Sequence, residues 1–311
     1  MRALIIGGTG FVGRALAPAL ARAGHDVVVG GRRPSAPGVD GALVRCDLDD
    51  DASVRAALTG VEVAWFLVHG LRRPDYATWE SAAAARFAAA ARVAGVGRIV
   101  YLGGLVPAGG SSAHLHSRLA TGRALASAGI DVVELQAPVI IGVGGESWRL
   151  ARDLAARSAL LPAPPWLAAR QQPVALADVV AALAAGPSLS PGVHALIGPE
   201  LLSAREILER TAVLLGRRLR FVPVPAFPKS LAGRLAPLFT RADAEVARAL
   251  AGGLGLDLVA PQPGVFAHLP KVRRTSFDEA ASLALHHDRV ALAPSLYEAA
   301  LRVLLPARRS E

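Results

Sequence analysis

Gly7, Gly8, Gly10 and Gly13 stand in the run Gly7-Gly8-Thr9-Gly10-Phe11-Val12-Gly13, between a short apolar segment (Arg2 to Ile6) and an alanine- and leucine-rich stretch. This is the spacing of a strand, a tight turn and a helix that together bind a dinucleotide, and the backbone does the chemistry. Gly7 makes the turn after the strand, Gly10 lets the chain come close to a pyrophosphate, and Gly13 lets the helix pack against the strand. The helix N-terminus presents free N–H groups and the positive end of its dipole to the phosphates. Thr9, Phe11 and Val12 complete the loop expected to hold the cofactor.

A second group decides which dinucleotide. A fold that prefers NAD ends its second strand with Asp or Glu, which accepts both ribose hydroxyls. Here Val27-Val28-Val29 runs into Gly30-Gly31-Arg32-Arg33, with no carboxylate and two guanidiniums. A charge-assisted contact to phosphate nets about 1.5–3 kcal/mol, roughly ten- to hundredfold discrimination, so the pattern predicts NADP(H) in preference to NAD(H). The competing reading makes Arg32 and Arg33 a solvated loop. Asp47-Leu48 follows the third strand, where the carboxylate either accepts from an adenine amino group or caps the helix after Asp49-Asp50-Asp51.

These groups need a sheet to hold them, and the sequence supplies one. Strand-like runs at Ala3–Ile6, Asp26–Val29, Ala42–Val44, Val63–Leu67, Arg98–Leu102 and Asp131–Leu135 alternate with helical stretches at Phe11–Ala23, Ala52–Leu58, Asp75–Ala94 and Ala113–Ala128. Ala23-Gly24, Ala94-Gly95 and Ala128-Gly129 close three of the helices. Six strands in βα order predict an α/β fold, a Rossmann-type doubly wound parallel sheet. After Pro138 the rhythm changes. Helical pieces at Trp148–Ser158, Ala177–Ala185 and Ala204–Leu215 alternate with proline-rich connectors such as Leu161-Pro162-Ala163-Pro164-Pro165, and one short strand falls at Leu219–Val222. The expected division is a dinucleotide-binding domain over 1–198, with 142–175 contributing to the pocket, and a small, mainly helical lobe over 199–311. Ligands bind at the C-terminal edge of such a sheet, so the lobe is expected to roof a substrate pocket.

Bulk properties narrow the class. The 311 residues are 52% hydrophobic, which suits a folded globular protein. The single cysteine, Cys46, excludes an intrachain disulfide framework, fits a reducing compartment, and reads as a small buried hydrophobe in a strand. The net charge of +9 comes from arginines scattered in ones and twos, without a basic run, so no nucleic acid is expected. No run of about eighteen residues is both uncharged and free of helix breakers, so no membrane span is expected and the cytoplasm is the default location. A small-molecule substrate is the expected partner, with homodimer formation left open.

The motifs resemble the extended and atypical short-chain dehydrogenase/reductase superfamily, over Met1 to about Gly198. Besides the glycine turn, the resemblance rests on Cys46-Asp47-Leu48, on Gly95-Val96-Gly97-Arg98-Ile99-Val100-Tyr101-Leu102 and on Pro138-Val139-Ile140-Ile141-Gly142, with Gln172–Val179 before a late helix. Within the superfamily the chain is most similar to NmrA-like and related bacterial NAD(P)H-binding proteins, through Leu102–Leu105 and the segment His114–Arg118.

The resemblance implies a fold, a nicotinamide cofactor and a set of positions. His69 and Gly70 end the fourth strand, where a residue commonly lies near the nicotinamide ribose, Val68 beside them is expected to touch the cofactor, and Val139 resembles the position whose backbone contacts the carboxamide. The family's usual Tyr and Lys are missing: the only lysines are Lys229 and Lys271, and neither Tyr76, Tyr101 nor Tyr297 has Lys four residues on. Gly103-Gly104 stands where the strand end normally carries serine, and His114 and Arg118 occupy the Tyr and Lys positions. Three readings follow. His114 donates the proton, as an imidazole that titrates near neutrality, while Arg118 anchors ribose or phosphate. Or the substrate needs little acid catalysis from the protein. Or the chain binds NADP(H) without turnover, as a sensor or assembly partner. For His114 alone, a surface or capping role beside Ser111 and Ser112 is the competing reading. His114 with His116, and His286-His287-Asp288, lack a metal-ligand pattern. Trp148, Trp166 and Phe227 read as core or pocket lining.

Overall fold

Each apolar run of the N-terminal half forms a strand, because residues buried on both faces of a parallel sheet need no polar alternation. The strands are β1 (Arg2–Ile6), β2 (Asp26–Gly31), β3 (Ala42–Arg45), β4 (Val63–Phe66), β5 (Arg98–Gly104) and β6 (Asp131–Ala137). The computed structural model describes residues 1–33, 41–107 and 112–288. Ser111, Tyr297 and the last part of the expected C-terminal lobe lie outside these residues.

The sheet is parallel throughout, in the order β3-β2-β1-β4-β5-β6. A seventh strand, Gly192–Ala195, extends it beyond β6. Order reverses between β1 and β4, which opens the ligand crevice at the carboxyl ends of those two strands. Helices α1 (Phe11–Arg22), α2 (Asp51–Ala57), α3 (Tyr76–Val93) and α4 (Ala113–Ala126) make the crossovers. Gly24, Gly95 and Gly129 follow three of them with φ of +83°, +79° and +73°, the left-handed geometry of a helix stop.

The core lies in two layers. One face packs Leu16, Leu20, Trp65 and Val133, with the Trp65 indole donating to Leu183 O at 2.8 Å. The other packs Phe66, Phe87, Ile99 and Tyr101 under α2, α3 and α4. Leu16 and Leu20 of α1 are fully buried at one-turn spacing, and burying each such side chain contributes about 1.5–3 kcal/mol.

The later helices are α5 (Glu146–Arg157), α6 (Leu176–Ala185), α7 (Ala204–Leu214), α8 (Lys229–Phe239), α9 (Ala244–Ala251) and α10 (Phe277–His287). α5 packs against α7, α8 and α9, and a third core cluster joins its Trp148 to Ile207 of α7 and to Phe277, Ala281 and Ala284 of α10. The short strand at Arg220–Pro223 runs parallel to Leu160–Ala163, so the helical part borrows a partner from the segment that precedes it. Cys46 lies just past β3 rather than inside a strand. It is buried, and burial beside Asp47 pushes its thiol up to about 12, so it behaves as the small hydrophobe expected.

Candidate active site

The glycine turn is built by steric necessity. Gly7 sits at φ +77°, and a Cβ there would meet Leu67 C and O at 3.0 Å. A Cβ on Gly13 would lie 2.4 Å from Gly8 Cα and 2.7 Å from Gly7 O, so helix and turn touch backbone to backbone. The turn is closed by Gly10 N–H donating to Gly7 O at 2.9 Å, and Gly7 N–H reaches Gly30 O of β2 at 3.2 Å. α1 starts at Gly10 with no side-chain cap and no acidic residue in its first turn. Its first N–H groups and its dipole are therefore available to an anion.

A cavity of about 450 Å³ opens there, lined by Thr9, Gly10, Phe11, Arg14, Gly144 and Leu176 among others. The Arg14 guanidinium donates to Thr9 O at 2.8 Å, which sets a second positive charge beside the helix end. Arg14 is not marked by the glycine spacing itself, and its place one residue after Gly13 is the signal that finds it. The Phe11 ring packs on Gly144 and Gly145: a Cβ on Gly145 would approach it to 3.0 Å. Val12 faces the core. This geometry fits a pyrophosphate, because the glycines leave a cradle that side chains would fill.

Arg32 and Arg33 follow β2 directly and are exposed. Thr9 packs beside Gly31, where a Cβ would meet its methyl at 3.2 Å, so the strand end and the glycine turn share one rim of the crevice. Leu48 is buried. Asp50, not Asp47, caps α2, accepting from Ala52 and Ser53 N–H. The Asp47 carboxylate stays outside that cap, accepting Asp49 N–H at 3.2 Å and standing 3.8 Å from Arg45.

At the other rim β4, β5 and α4 bring His69, His114 and Arg118 together. Ser112 caps α4 by accepting Leu115 N–H at 3.3 Å, so His114 is not the capping residue. Its imidazole is half-buried, with Nδ1 fully buried and unpartnered. Burial first, then the charges of Arg118 and His69, pull it down to about 4. His69, in the loop after β4, is exposed. Desolvation, then Arg118, pulls it also to about 4, against the opposing pull of Glu80. The near-neutral titration expected of His114 is thus displaced, and both imidazoles are uncharged at neutral pH.

Arg118 is 7% exposed. It donates to Val68 O at 3.0 Å and to Leu102 O, and its guanidinium lies over the Tyr101 ring. The Tyr101 hydroxyl in turn donates to Arg118 O at 2.9 Å, and burial pushes this phenol upward, so it is a core group. Val68 thus takes part through its carbonyl. Val139 likewise gives its carbonyl to Val174 N–H at 2.9 Å. Beyond His69, Arg72 reaches Asp243 at 3.1 Å and Glu146 at 3.7 Å, tying the loop after β4 to α5 and the start of α9. Trp166 donates to Phe227 O at 2.8 Å. No group of three or more metal-ligating side chains exists among the described residues, and none of their helices is long and apolar enough to cross a membrane.

Comparison with known proteins agrees with this geometry. Residues 3–113 match the model of the NAD dependent epimerase/dehydratase family. The family match is confined to these residues, and over the remainder of the chain the likeness to known proteins is one of fold. Similar solved structures include the UDP-glucose 4-epimerase of Thermus thermophilus in complex with NAD, at 22% identity and TM-score 0.68, covering 94% of this chain and 100% of that one. A nucleoside-diphosphate-sugar epimerase from Staphylococcus aureus has 14% identity and TM-score 0.72, with coverage of 91% and 100%. The UDP-glucose 4-epimerase of Thermotoga maritima with UDP-glucose has 13% identity and TM-score 0.68, with coverage of 92% and 98%. No curated protein matches the chain.

The two histidines also predict a pH dependence of stability. In the unfolded chain each titrates at about 6.5; folded, each is held near 4. Between those values the unfolded chain binds protons that the folded chain does not, so stability is present above the window and is lost as pH falls through it. The melting temperature is expected to drop between about pH 7 and about pH 5, and to drop less in His114→Gln. Equal drops in both proteins would remove the desolvated imidazole as the cause.

Proposed function

We propose that this chain is an NADPH-dependent reductase that works without the Ser-Tyr-Lys set, on a small, largely apolar organic substrate. The observation that carries the reading is an uncapped α1 N-terminus whose glycine turn packs at Gly7 on Leu67 and Val68, the residues that lead into His69 and whose Val68 carbonyl accepts from Arg118. The bound nicotinamide would supply hydride. A relative of known structure is described in complex with NAD, which supports a nicotinamide dinucleotide as the ligand class. Arg32 and Arg33, at the end of a β2 that lacks a terminal carboxylate, favour the form that carries a ribose phosphate.

His114 acts as a neutral donor. An uncharged imidazole held near a developing oxyanion stabilises it by hydrogen bonding and yields its proton late. His69 adds a second such group. Arg118 works from beneath, since its guanidinium already serves Val68 and Leu102, and its charge favours negative charge developing above it. Buried Leu71 and Leu105 stand near in sequence to these groups, in keeping with an apolar substrate. The same engagement of Arg118 favours a second reading, an NADP(H)-binding sensor or assembly partner of the NmrA-like kind.

Titration with NADPH and NADH, followed by nicotinamide fluorescence, tests the cofactor. Arg32→Asp is expected to weaken NADPH by about ten- to hundredfold and to leave NADH within about threefold. Equal loss of both would overturn the preference. Decay of the fluorescence on adding small apolar ketones or enones separates the reductase from the sensor, which binds without turnover.

A further inference from the structure

Under the cleft lies a buried carboxylate that the proposed reaction has not used. Glu80, on the second turn of α3, is 3% exposed. Its Oε1 accepts Gly70 N–H at 2.5 Å, and its Oε2 accepts the Ser117 hydroxyl at 2.6 Å. Oε2 also stands 3.8 Å from Arg118 Nη1. Gly70 follows His69 directly, and Ser117 lies one turn beyond His114 on α4. One side chain therefore joins the two segments that carry the imidazoles. The loop is pressed flush on α3: a Cβ on Gly70 would come 2.9 Å from the Trp79 ring and 3.3 Å from Tyr76 Cβ. Only a glycine there lets the backbone N–H approach the carboxylate so closely.

We propose that Glu80 is a positioning residue, whose carboxylate fixes His69 and His114 relative to each other and supplies the counter-charge of Arg118. The inference rests on the oxidoreductase reading of the cleft, but its test does not. A carboxylate buried with both oxygens hydrogen-bonded, and with a guanidinium nearby, has defined partners and little freedom to move. The groups that share its surroundings are His69 and Arg72 from the loop after β4, His114 and Arg118 from α4, Tyr76 from α3, Tyr101 from β5 and Glu134 from β6. Arg72 is already balanced by Asp243 and Glu146. Glu134 has Gln136 as its hydrogen-bond donor, and burial raises its carboxyl, so it is a poor substitute counter-charge.

The test uses the full chain, with NADPH as probe and the side-chain nitrogen resonances of the histidines as readout, assigned with His69→Gln and His114→Gln. In Glu80→Gln both resonances are expected to move, and the His69 titration midpoint to fall by about half a pH unit, because the carboxylate favours the imidazolium form. NADPH affinity should stay within about twofold, since the phosphates bind at α1, while kcat with any acceptor the wild type reduces falls about tenfold. Ser117→Ala removes one of the hydrogen bonds and should move the same resonances less far. It decides the matter if Glu80→Gln does not fold. Unmoved His69 and His114 resonances in a folded variant would overturn the assignment. If no acceptor is turned over by the wild type, the reductase reading fails and the resonances still decide for or against Glu80.

Discussion

Gly13→Ala is expected to weaken NADPH binding by about a hundredfold, because it costs the one or two charge-assisted hydrogen bonds that depend on where α1 begins. The added methyl would sit 2.4 Å from Gly8 Cα and 2.7 Å from both Gly7 O and Gly8 C. All three are backbone atoms, so no side chain can rotate away. Either α1 slides along β1 or the turn opens, and both displace the N–H groups at Gly10 and beyond that make the anion site. Overpacking of this kind costs about 1–3 kcal/mol in stability as well. Gly97→Ala is the matched control. Its Cβ would meet only Glu62 O, at 3.6 Å, and its φ is not positive, so both binding and melting temperature should hold. Fluorescence titration with NADPH beside a thermal melt separates the two effects. Wild-type affinity in Gly13→Ala would mean that the turn is not where the pyrophosphate sits.

That site could be read in the sequence because its requirements are local. A turn that places helix backbone on strand backbone admits only glycine at Gly7 and Gly13, so the residue types record the geometry. The same holds for the helix stops at Gly24, Gly95 and Gly129, whose positive φ other residues resist. The six strands and four helices of the first half follow from periodicity and punctuation. The seventh strand, Gly192–Ala195, does not: it is short and largely uncovered, and it becomes a strand only by pairing with the edge of β6. The choice between cap and adenine acceptor at Asp47 was likewise open until Asp50 took the cap.

The floor of the cleft was illegible for a different reason. Glu80 and Ser117 lie 37 residues apart, on α3 and α4, and their meeting depends on how those helices lie against each other. An alanine-rich α3 gives no sign that one glutamate among its residues turns inward. The identity of His114 and Arg118 suggested an acid that titrates near neutrality and a cation free to bind ribose. Burial alters both, by holding the imidazole neutral and turning the guanidinium to two main-chain carbonyls.

Arg118→Met tests what that buried cation does. Removing one partner of a buried charged pair leaves the other uncompensated, and the expected loss is about 3–5 kcal/mol in urea unfolding. Glu80 would remain with the hydroxyl of Ser117 and the N–H of Gly70, but with no positive charge at 3.8 Å. Adding Glu80→Gln should therefore restore part of the stability, by about 2 kcal/mol, because the double variant buries no net charge. Both imidazoles should also titrate higher in Arg118→Met, since Arg118 lowers each of them. Additive losses in the double variant, with His69 and His114 unmoved, would reduce Arg118 to a brace between Val68 and Leu102. Coupled losses with both histidines moving upward would make its charge the property that sets the cleft, because the two main-chain contacts are lost equally in either case.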